Sequence, residues 1–226
     1  MAKVEKLKAK GNIDALLGLL SHRKENIREE ACEAVIEMGA GSLNQLVSLL
    51  GNRLNPVNSR IMAAKALGGF NDPATIQPLI QGLSEEGEVA AECVKGLIKF
   101  GNAAVPSLIG IIHQDSPHKS LAVAVLGQIG DPAAIPILTE LITTQDVFLR
   151  KEIISALGNL GDTASAEVLV NFLVDKNPEI RAATAQALGQ LKVAEALPYL
   201  EQMLFDGQEI VRNSAKGAIE TISQFL

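Results

Sequence analysis

The sequence predicts an all-α protein, a right-handed alpha-alpha superhelix (solenoid) of about seven two-helix repeats. One pattern recurs about every 31 residues, as in LAVAVLGQIGDPAAIPILTEL, IISALGNLGDTASAEVLVNFL and ATAQALGQLKVAEALPYLEQML. Each copy spaces its apolar residues as the faces of helices require. Aromatic residues make up only 3% of the chain, with no Trp and one Tyr. An aliphatic, alanine-rich composition favours close helix packing over a β-sandwich.

The repeat has a clear anchor, the residue that follows the second helix of each copy. Successive anchors lie 32, 30, 29, 31 and 31 residues apart: Gly39, Asn71, Gly101, Gly130, Gly161 and Lys192. Because one helix pair cannot bury its apolar face alone, stacking supplies the core. We expect one domain over residues 1–226, with repeats at about 12–39, 42–71, 73–101, 104–130, 133–161, 164–192 and 194–224.

The second helix of each copy, helix B, is amphipathic with a constant phase. A basic residue opens six of the seven copies, Ala90 being the exception. Apolar residues follow at offsets of three, seven and ten, which lie on one helical face. The polar member is Thr184, whose hydroxyl is expected to bond a carbonyl one turn earlier. The basic column is Arg28, Arg60, Lys119, Arg150, Arg181 and Arg212.

The first helix of each copy, helix A, is shorter and has recognisable start signals. Asp72, Asp131 and Asp162 stand where an N-cap is needed, and Pro73 and Pro132 follow the first two. Further prolines recur inside the A helices and predict a kink or a late helical start. They are Pro78, Pro106, Pro136 and Pro198.

These features resemble the HEAT repeat family, in particular its short phycobilisome-lyase-like variant. The motif R-x-x-A-x-x-A-L-G-x-[IL]-G-D-P is most complete as RIMAAKALGGFNDP and KSLAVAVLGQIGDP, and Ile153 and Thr184 depart from it. The resemblance implies a ladder of ion pairs between repeats, formed by an Asp six residues before each helix B arginine. Only Asp175 and Asp206 have that spacing. We therefore expect an incomplete ladder and a structural role for the arginine column.

Composition argues against some classes of partner. The net charge of −6 repels nucleic acid phosphates and anionic membrane surfaces. Cys32 and Cys93 lie in apolar helical patterns, where a cysteine usually acts as a small buried hydrophobic residue. Two such cysteines indicate a reducing compartment. There is no signal-peptide pattern, and no apolar run approaches the roughly 20 residues of a membrane span. We expect a cytoplasmic protein.

No residue constellation predicts catalysis, a cofactor or a metal. The glycines of LGQIGD are expected at helix C-termini, where glycine adopts the left-handed conformation, rather than in a phosphate-binding loop. The grouping of His113, Asp115 and His118 fits no standard zinc spacing. A Cys32/His22 nucleophile pair lacks an acidic residue to orient it.

The remaining candidate is a binding surface. The residues one, five and nine positions after the basic residue of each helix B are expected to line the concave face. This face is either a plain solvated surface or a groove for a peptide, a helix or an acidic protein segment. Lysines lie in repeats two and three, and amides in the later repeats. The Asn52–Pro56 loop is a second possible surface. The candidate partner-binding residues are Lys65, Lys95, Lys99, Gln128, Asn159, Gln186, Gln190, the apolar anchor Ile61, and Arg53 in the loop.

The sequence thus favours a non-catalytic protein–protein interaction scaffold. The family resemblance implies an alternative, a phycobilin (chromophore) lyase-like subunit or chaperone, although no residue identifies a tetrapyrrole site. A nucleic-acid-binding HEAT-like protein is a third hypothesis, against which the acidic charge argues. The short first A helix and the apolar C-terminal residues Ile222, Phe225 and Leu226 suggest an end-to-end homodimer.

Overall fold

The computed structural model describes residues 2–114, 116 and 118–225, and these contain helices and turns but no strand. The predicted all-α fold class is confirmed. The chain divides into two compact units, Met1–Ser107 (unit 1) and Leu108–Leu226 (unit 2).

Unit 1 begins with a helix that the repeat pattern does not predict, α1 (Ala2–Ala9). It continues with A/B pairs whose B helices pack against one another in sequence order. The helices are α2 (Ile13–Leu19), α3 (Glu25–Glu37), α4 (Leu43–Gly51), α5 (Val57–Gly69), α6 (Ile76–Gly82) and α7 (Gly87–Phe100), and α8 (Val105–His113) starts in this unit.

Unit 2 repeats the same arrangement of A/B pairs. The helices after α8 are α9 (Lys119–Ile129), α10 (Ile135–Leu141), α11 (Val147–Leu160), α12 (Ser165–Leu169), α13 (Pro178–Leu191), α14 (Leu197–Met203) and α15 (Glu209–Phe225). The B helices α9, α11, α13 and α15 lie in successive contact.

Most A helices are preceded by a short 3-10 turn, and the predicted aspartates cap it. The side chain of Asp72 accepts a hydrogen bond from the Ala74 amide at 2.9 Å, and Asp131 does the same from Ala133 at 2.9 Å. The α-helix proper then starts late, so that Pro136 and Pro198 fall in its first turn. Because first-turn amides need no intrahelical acceptor, these prolines mark a late start rather than a kink.

The core of both units follows the predicted B-helix columns at offsets three and seven, whereas most residues at offset ten, such as Phe70 and Leu160, are only half-buried. Leu67 and Leu97 in unit 1, and Leu157 in unit 2, have no exposed surface. The polar core residue Thr184 is satisfied as expected, since its hydroxyl donates to the Ile180 carbonyl at 2.7 Å. Sequence periodicity alone therefore identifies the inner face of each B helix.

The repeated L-G glycine has a role that the sequence analysis missed. A Cβ placed on Gly127 would lie 2.7 Å from the Cα of Ala156, and one on Gly189 would lie 2.8 Å from the Cα of Ala218. These glycines sit inside B helices and allow adjacent B helices to approach closely. The helix-end position expected for the LGQIGD glycines is wrong for Gly127 and right for Gly130, whose φ angle is +77°. The anchor Gly161 likewise follows its helix, with a φ angle of +72°.

Two arginines of the column, Arg150 and Arg181, each link a repeat of unit 2 to the next repeat. Arg150 donates from Nε to the Thr144 carbonyl at 3.0 Å and from Nη1 to Asp175 at 2.7 Å. Arg181 forms a bidentate pair with Asp206, at 2.8 and 2.9 Å. Each guanidinium therefore joins the A-to-B turn of its own repeat to a carboxylate of the following repeat.

Unit 1 contains a ladder contact that the six-residue spacing did not predict. Arg60 pairs with Glu85, and both side chains are largely buried. Glu85 stands five residues before Ala90 rather than six, which explains why the expected pattern passed over it. In each of these pairs the carboxylate lies 25 residues after the arginine. The residue 25 positions after Arg28 is Arg53, so no carboxylate stands at the equivalent place.

The ladder gives stability a defined dependence on pH. Hydrogen bonds from the Arg181 guanidinium hold the pKa of Asp206 below its ordinary value of 3.8. A lowered folded-state pKa stabilises the native protein above that ordinary value, and this stabilisation is lost as pH falls through the folded-state pKa. We expect the melting temperature of the wild type to exceed that of Asp206→Asn by a constant amount between about pH 5 and 7, and by less below about pH 4.

Thermal melts followed by circular dichroism across this pH range check the expectation. In an Arg181→Leu background the pH dependence of the difference should largely disappear, because the main cause of the lowered pKa is gone. A difference that grows on acidification would contradict the assignment.

The described residues at the two ends of the chain differ in exposure. At the N-terminus α1 packs on α2 and α3, burying Val4, and Lys8 pairs with Glu37. At the C-terminus Ile222 is fully buried, while Phe225 is exposed with the Lys192 ammonium 4.6 Å from its ring centroid. Leu226 lies outside the described residues. Of the predicted C-terminal contact residues, Ile222 is thus unavailable and Phe225 stays exposed, and the end-to-end homodimer stays a prediction.

The two cysteines and the most apolar stretch both belong to packed helices. Cys32 and Cys93 are free and buried, and burial raises the pKa of each thiol to about 12. Within the described ranges, Gly87–His113 alone has the length and apolar content of a membrane span, contrary to the expectation that no run approaches it. A turn at Gly101, with φ +56°, divides this stretch into α7 and α8.

Candidate functional site

The polar side of the B helices in unit 1 carries the predicted lysines. Lys65, Lys95 and Lys99 are exposed and line a shallow depression between α5 and α7. Its floor is formed by Gly68 and Gly96, the close-contact glycines of these two helices.

Two of the three lysines are already paired within the chain. Lys65 bonds Glu29, which raises the pKa of Lys65, and Lys95 Nζ lies 2.5 Å from Glu92 Oε1. Among the described residues, Lys99 has no carboxylate within ion-pair distance. The depression therefore presents about one uncompensated positive charge, and its attraction for an acidic segment is weaker than the sequence suggested.

Two predicted contact residues are placed differently from expectation. Ile61 is only 8% exposed, because α5 packs against α3, α4 and α7 at once and leaves a narrow outer strip. It is therefore not available as an apolar anchor on the surface. Arg53 is exposed but tied down: its Nε lies 3.2 Å from Glu85 Oε1, and its Nη2 donates to the Ser84 carbonyl at 3.1 Å.

The polar side of the B helices in unit 2 is uncharged along most of its length. The four predicted amides are all exposed: Gln128, Asn159, Gln186 and Gln190. The last two form one wall of a groove of about 830 Å³ between α13 and α15, called here the amide groove.

The amide groove combines a small-residue floor with polar walls. Gly189, Gly217 and Ala218 line it without long side chains, and Asn213 and Thr221 contribute polar groups from α15. Gln186 Nε2 donates to Ser214 Oγ at 3.1 Å, which fixes one amide in place. The groove is thus able to hydrogen-bond a peptide backbone while admitting it close to the helices.

Sequence reasoning missed the α15 side of this groove. Gly217 and Thr221 occupy offsets five and nine, as the chosen amides do, and Asn213 occupies offset one, so all three belong to the columns expected on the concave face. Their small or short side chains carry no signal for binding in the sequence, and only the packing of α13 against α15 shows that they line a groove.

The described residues contain no group of three or more side chains able to hold a metal ion. Of the three residues considered for zinc, His113 and His118 are described, whereas Asp115 lies outside the described residues.

Comparison with known proteins decides the family. The description "HEAT repeats" matches residues 76–154, 105–173 and 145–220, which together span more than half of the chain. The chain belongs to the HEAT repeat family. A PBS lyase HEAT-like repeat also matches residues 59–85, so the resemblance inferred from the motif is confirmed. A search of curated proteins gave no match to this HEAT repeat protein.

Solved structures agree on the fold. Kap121p is similar at a TM-score of 0.72 and 13% identity, over 97% of this chain and 30% of Kap121p. An engineered protein of the Northeast Structural Genomics Consortium has a TM-score of 0.50 and 20% identity, over 97% of this chain and 70% of the engineered one. The CpcE–CpcF complex of phycocyanin lyase from Nostoc is more distant, at a TM-score of 0.44 and 17% identity over 93% and 94% of the chains. The likeness to Kap121p and to the engineered protein shows a helical solenoid and no shared activity.

Proposed function

We propose that this HEAT repeat protein is a non-catalytic scaffold that binds an extended segment of another protein in the amide groove. The observation that carries the proposal is the groove itself, with amides and hydroxyls above a floor of Gly189, Gly217 and Ala218. The buried free thiols accord with a reducing environment, and we propose the cytoplasm.

The chemistry of the walls suits a main chain better than a charged side chain. Each Gln or Asn amide offers both a donor and an acceptor, as each peptide unit does. Glu209 is the only charged residue in the lining, so a strongly charged ligand finds little compensation. An extended segment with small or uncharged polar side chains fits these groups.

A photo-crosslinking experiment tests this proposal. A benzophenone amino acid at position 213, on the groove wall, is expected to give discrete adducts in native lysate. The same label at Glu201, exposed on α14, is the matched control and should give none of these adducts.

Filling the groove provides the second arm. A Cβ on Gly217 meets no atom within 4 Å, so a side chain can start there without a clash, and Gly217→Leu is expected to fill the groove. The adduct yield should fall by about tenfold, as for loss of a central contact. Adducts that persist after filling, or that form equally from position 201, would rule out the groove as the binding site.

The chromophore-lyase alternative rests on the PBS lyase HEAT-like match over residues 59–85. We infer from it a second candidate function, in which the protein assists bilin attachment as part of a larger assembly. Titration of the protein with a free bilin, followed by absorbance, tests it. An unchanged bilin spectrum at saturating protein would remove this candidate.

A further inference from the structure

A cavity of about 620 Å³ lies between the A helices of the last two repeats of unit 2. Its lining comes from α12, α14 and the short turns that flank them. It is therefore on the A-helix side of the unit, whereas the B helices α13 and α15 form the amide groove. The cavity is called here the Tyr199 pocket, after the single tyrosine of the chain. Its polar lining residues are Thr163, Glu167, Asn171, Glu195 and Tyr199.

The charged groups of the Tyr199 pocket are two carboxylates. Glu167 and Glu195 are both exposed, and the lining contains no Lys, Arg or His. Among the residues that the structure describes, neither carboxylate has a basic side chain within ion-pair distance. The basic residue nearest to Glu195 along the chain, Lys192, lies instead over the Phe225 ring, with Nζ 4.6 Å from the centroid. The two negative charges of the pocket are therefore uncompensated.

The neighbouring A helices of unit 2 are acidic as well. The helices α10, α12 and α14 contain no Lys or Arg, and each has one exposed glutamate: Glu140, Glu167 and Glu201. The ladder carboxylates Asp175 and Asp206 are different, because arginines already pair with them. A ligand that approaches these A helices meets charge of one sign, and a basic ligand complements it.

The pocket also offers an aromatic ring between apolar walls. Tyr199 is 47% exposed and lines the cavity together with Ala164, Val170 and Val193. An aromatic ring attracts a cation that lies over its face. Apolar walls suit the methylene stem of a long basic side chain, whose charged end remains in contact with polar groups. The lining thus matches both parts of such a side chain.

The hydrogen-bonding groups of the pocket are mainly acceptors. Asn171 Nδ2 donates to the carbonyls of Glu167 and Val168 at 3.2 and 3.4 Å, which leaves the amide oxygen to accept from a ligand. The ionised carboxylates of Glu167 and Glu195 are acceptors only. A guanidinium has five N–H donors, no acceptor and a planar face that stacks on aromatic rings. It therefore fits these groups better than an ammonium does.

A structural role explains only part of this arrangement. Glu167 is in the first turn of α12, and Glu195 is in the 3-10 turn before α14, where a carboxylate favours the helical start. That role requires neither an exposed tyrosine nor an open amide oxygen in the same cavity. A basic ligand accounts for all of these features together.

We propose that the Tyr199 pocket binds an arginine side chain of a partner protein, with the guanidinium against the ring and paired with Glu167 and Glu195. The cavity volume is in the range of sites that hold drug-sized ligands, so there is room for the residues that flank the arginine. This interaction is additional to the main-chain recognition proposed for the amide groove and does not depend on it.

The single tyrosine provides a probe of this pocket alone. Protein labelled with 3-fluorotyrosine has one fluorine NMR resonance, from position 199, because the chain has no other Tyr. The ligand is a capped pentapeptide with a central arginine between glycine and serine residues. We expect it to shift the resonance in a saturable way. The same peptide with citrulline, which has a similar shape without the charge, should bind about tenfold more weakly.

Two further ligands test which basic group fits and where it comes from. The peptide with lysine in place of arginine should bind about threefold more weakly, because an ammonium has no planar face to lie on the ring and forms no bidentate pair with a carboxylate. Free arginine should bind about tenfold more weakly than the arginine peptide, since Glu167 and Glu195 repel its own carboxylate and it lacks the flanking residues.

Protein variants separate the pocket from the net charge and from the amide groove. Glu167→Gln/Glu195→Gln should weaken binding of the arginine peptide about tenfold. Glu86→Gln/Glu88→Gln removes the same charge from exposed positions in unit 1 and should change the affinity by less than about twofold. Gly217→Leu blocks the amide groove and should leave peptide binding intact. Failure of the groove proposal therefore shows in the crosslinking experiment, and failure of the pocket proposal in the fluorine resonance.

Several outcomes would overturn the pocket proposal. They are a resonance that does not move with the arginine peptide, and equal binding of the citrulline or lysine peptide. Free arginine that binds as tightly as the peptide would make the ligand the amino acid itself rather than a partner protein. Equal weakening by the two double variants would show attraction to the net charge alone.

Discussion

Gly189→Ala is expected to destabilise the protein by roughly 1–3 kcal/mol, although alanine is the better helix former. The added Cβ would lie 2.8 Å from the Cα and 2.9 Å from the Cβ of Ala218, which is closer than packed carbons approach. Backbone atoms cannot rotate aside, so α13 and α15 have to separate. Because helix propensity offsets only about 0.5–1 kcal/mol, the clash decides the sign.

Gly217→Ala is the matched control, since this glycine lies in α15 and a Cβ there meets nothing within 4 Å. It should gain about 0.5–1 kcal/mol from helix propensity alone. Chemical denaturation of both variants measures the difference. Ala218→Gly should restore part of the stability lost in Gly189→Ala, and a double-mutant cycle with no coupling would show that the two residues do not touch.

Arg150→Leu is expected to cost about 2–4 kcal/mol. The side chain of Arg150 is 10% exposed, as is that of Asp175, and the guanidinium also serves the Thr144 carbonyl. Leucine would leave the mostly buried Asp175 carboxylate and the Thr144 carbonyl without the guanidinium that donates to both. The contribution is large because these groups have little access to water that would replace the lost bonds.

The neighbouring residue supplies the comparison. Lys151 pairs with Glu179 at 3.1 Å, but the two side chains are 42% and 59% exposed. Lys151→Leu should therefore change stability by no more than about 0.5 kcal/mol. Equal losses for the two substitutions, measured by urea unfolding at neutral pH, would mean that the ladder is an ordinary surface ion pair.

Sequence reasoning succeeded where a feature is local to one helix pair. Helix phase, the caps at Asp72 and Asp131, and the back-bond of Thr184 depend on residues within a turn or two of each other. The motif also fixed the family, because its residues are core and caps that recur at a set spacing. Predicting α1 was not possible from the repeat, since this helix lies outside it.

The candidate site was only partly predictable. Offsets of five and nine gave exposed lysines and amides correctly, but the offset of one placed Ile61 at the surface, where contacts from three helices bury it. The pairing of Lys65 with Glu29 joins neighbouring B helices. Residue offsets counted within one helix do not predict contacts between two helices. Glu85 was missed for a similar reason, since a contact across repeats tolerates a shift of one residue.

By itself the sequence determined the helical repeat, its phase and the buried columns at offsets three and seven, because these follow from the 3.6-residue period and from short-range hydrogen bonding. The repeated motif gave the resemblance to the HEAT family. The tertiary structure alone decided how closely B helices approach, which charges neutralise one another and where apolar side chains remain uncovered. Those properties depend on distances between residues about 30 positions apart. A periodic pattern fixes the direction of a side chain, whereas the neighbour it meets is set by the packing of whole helices.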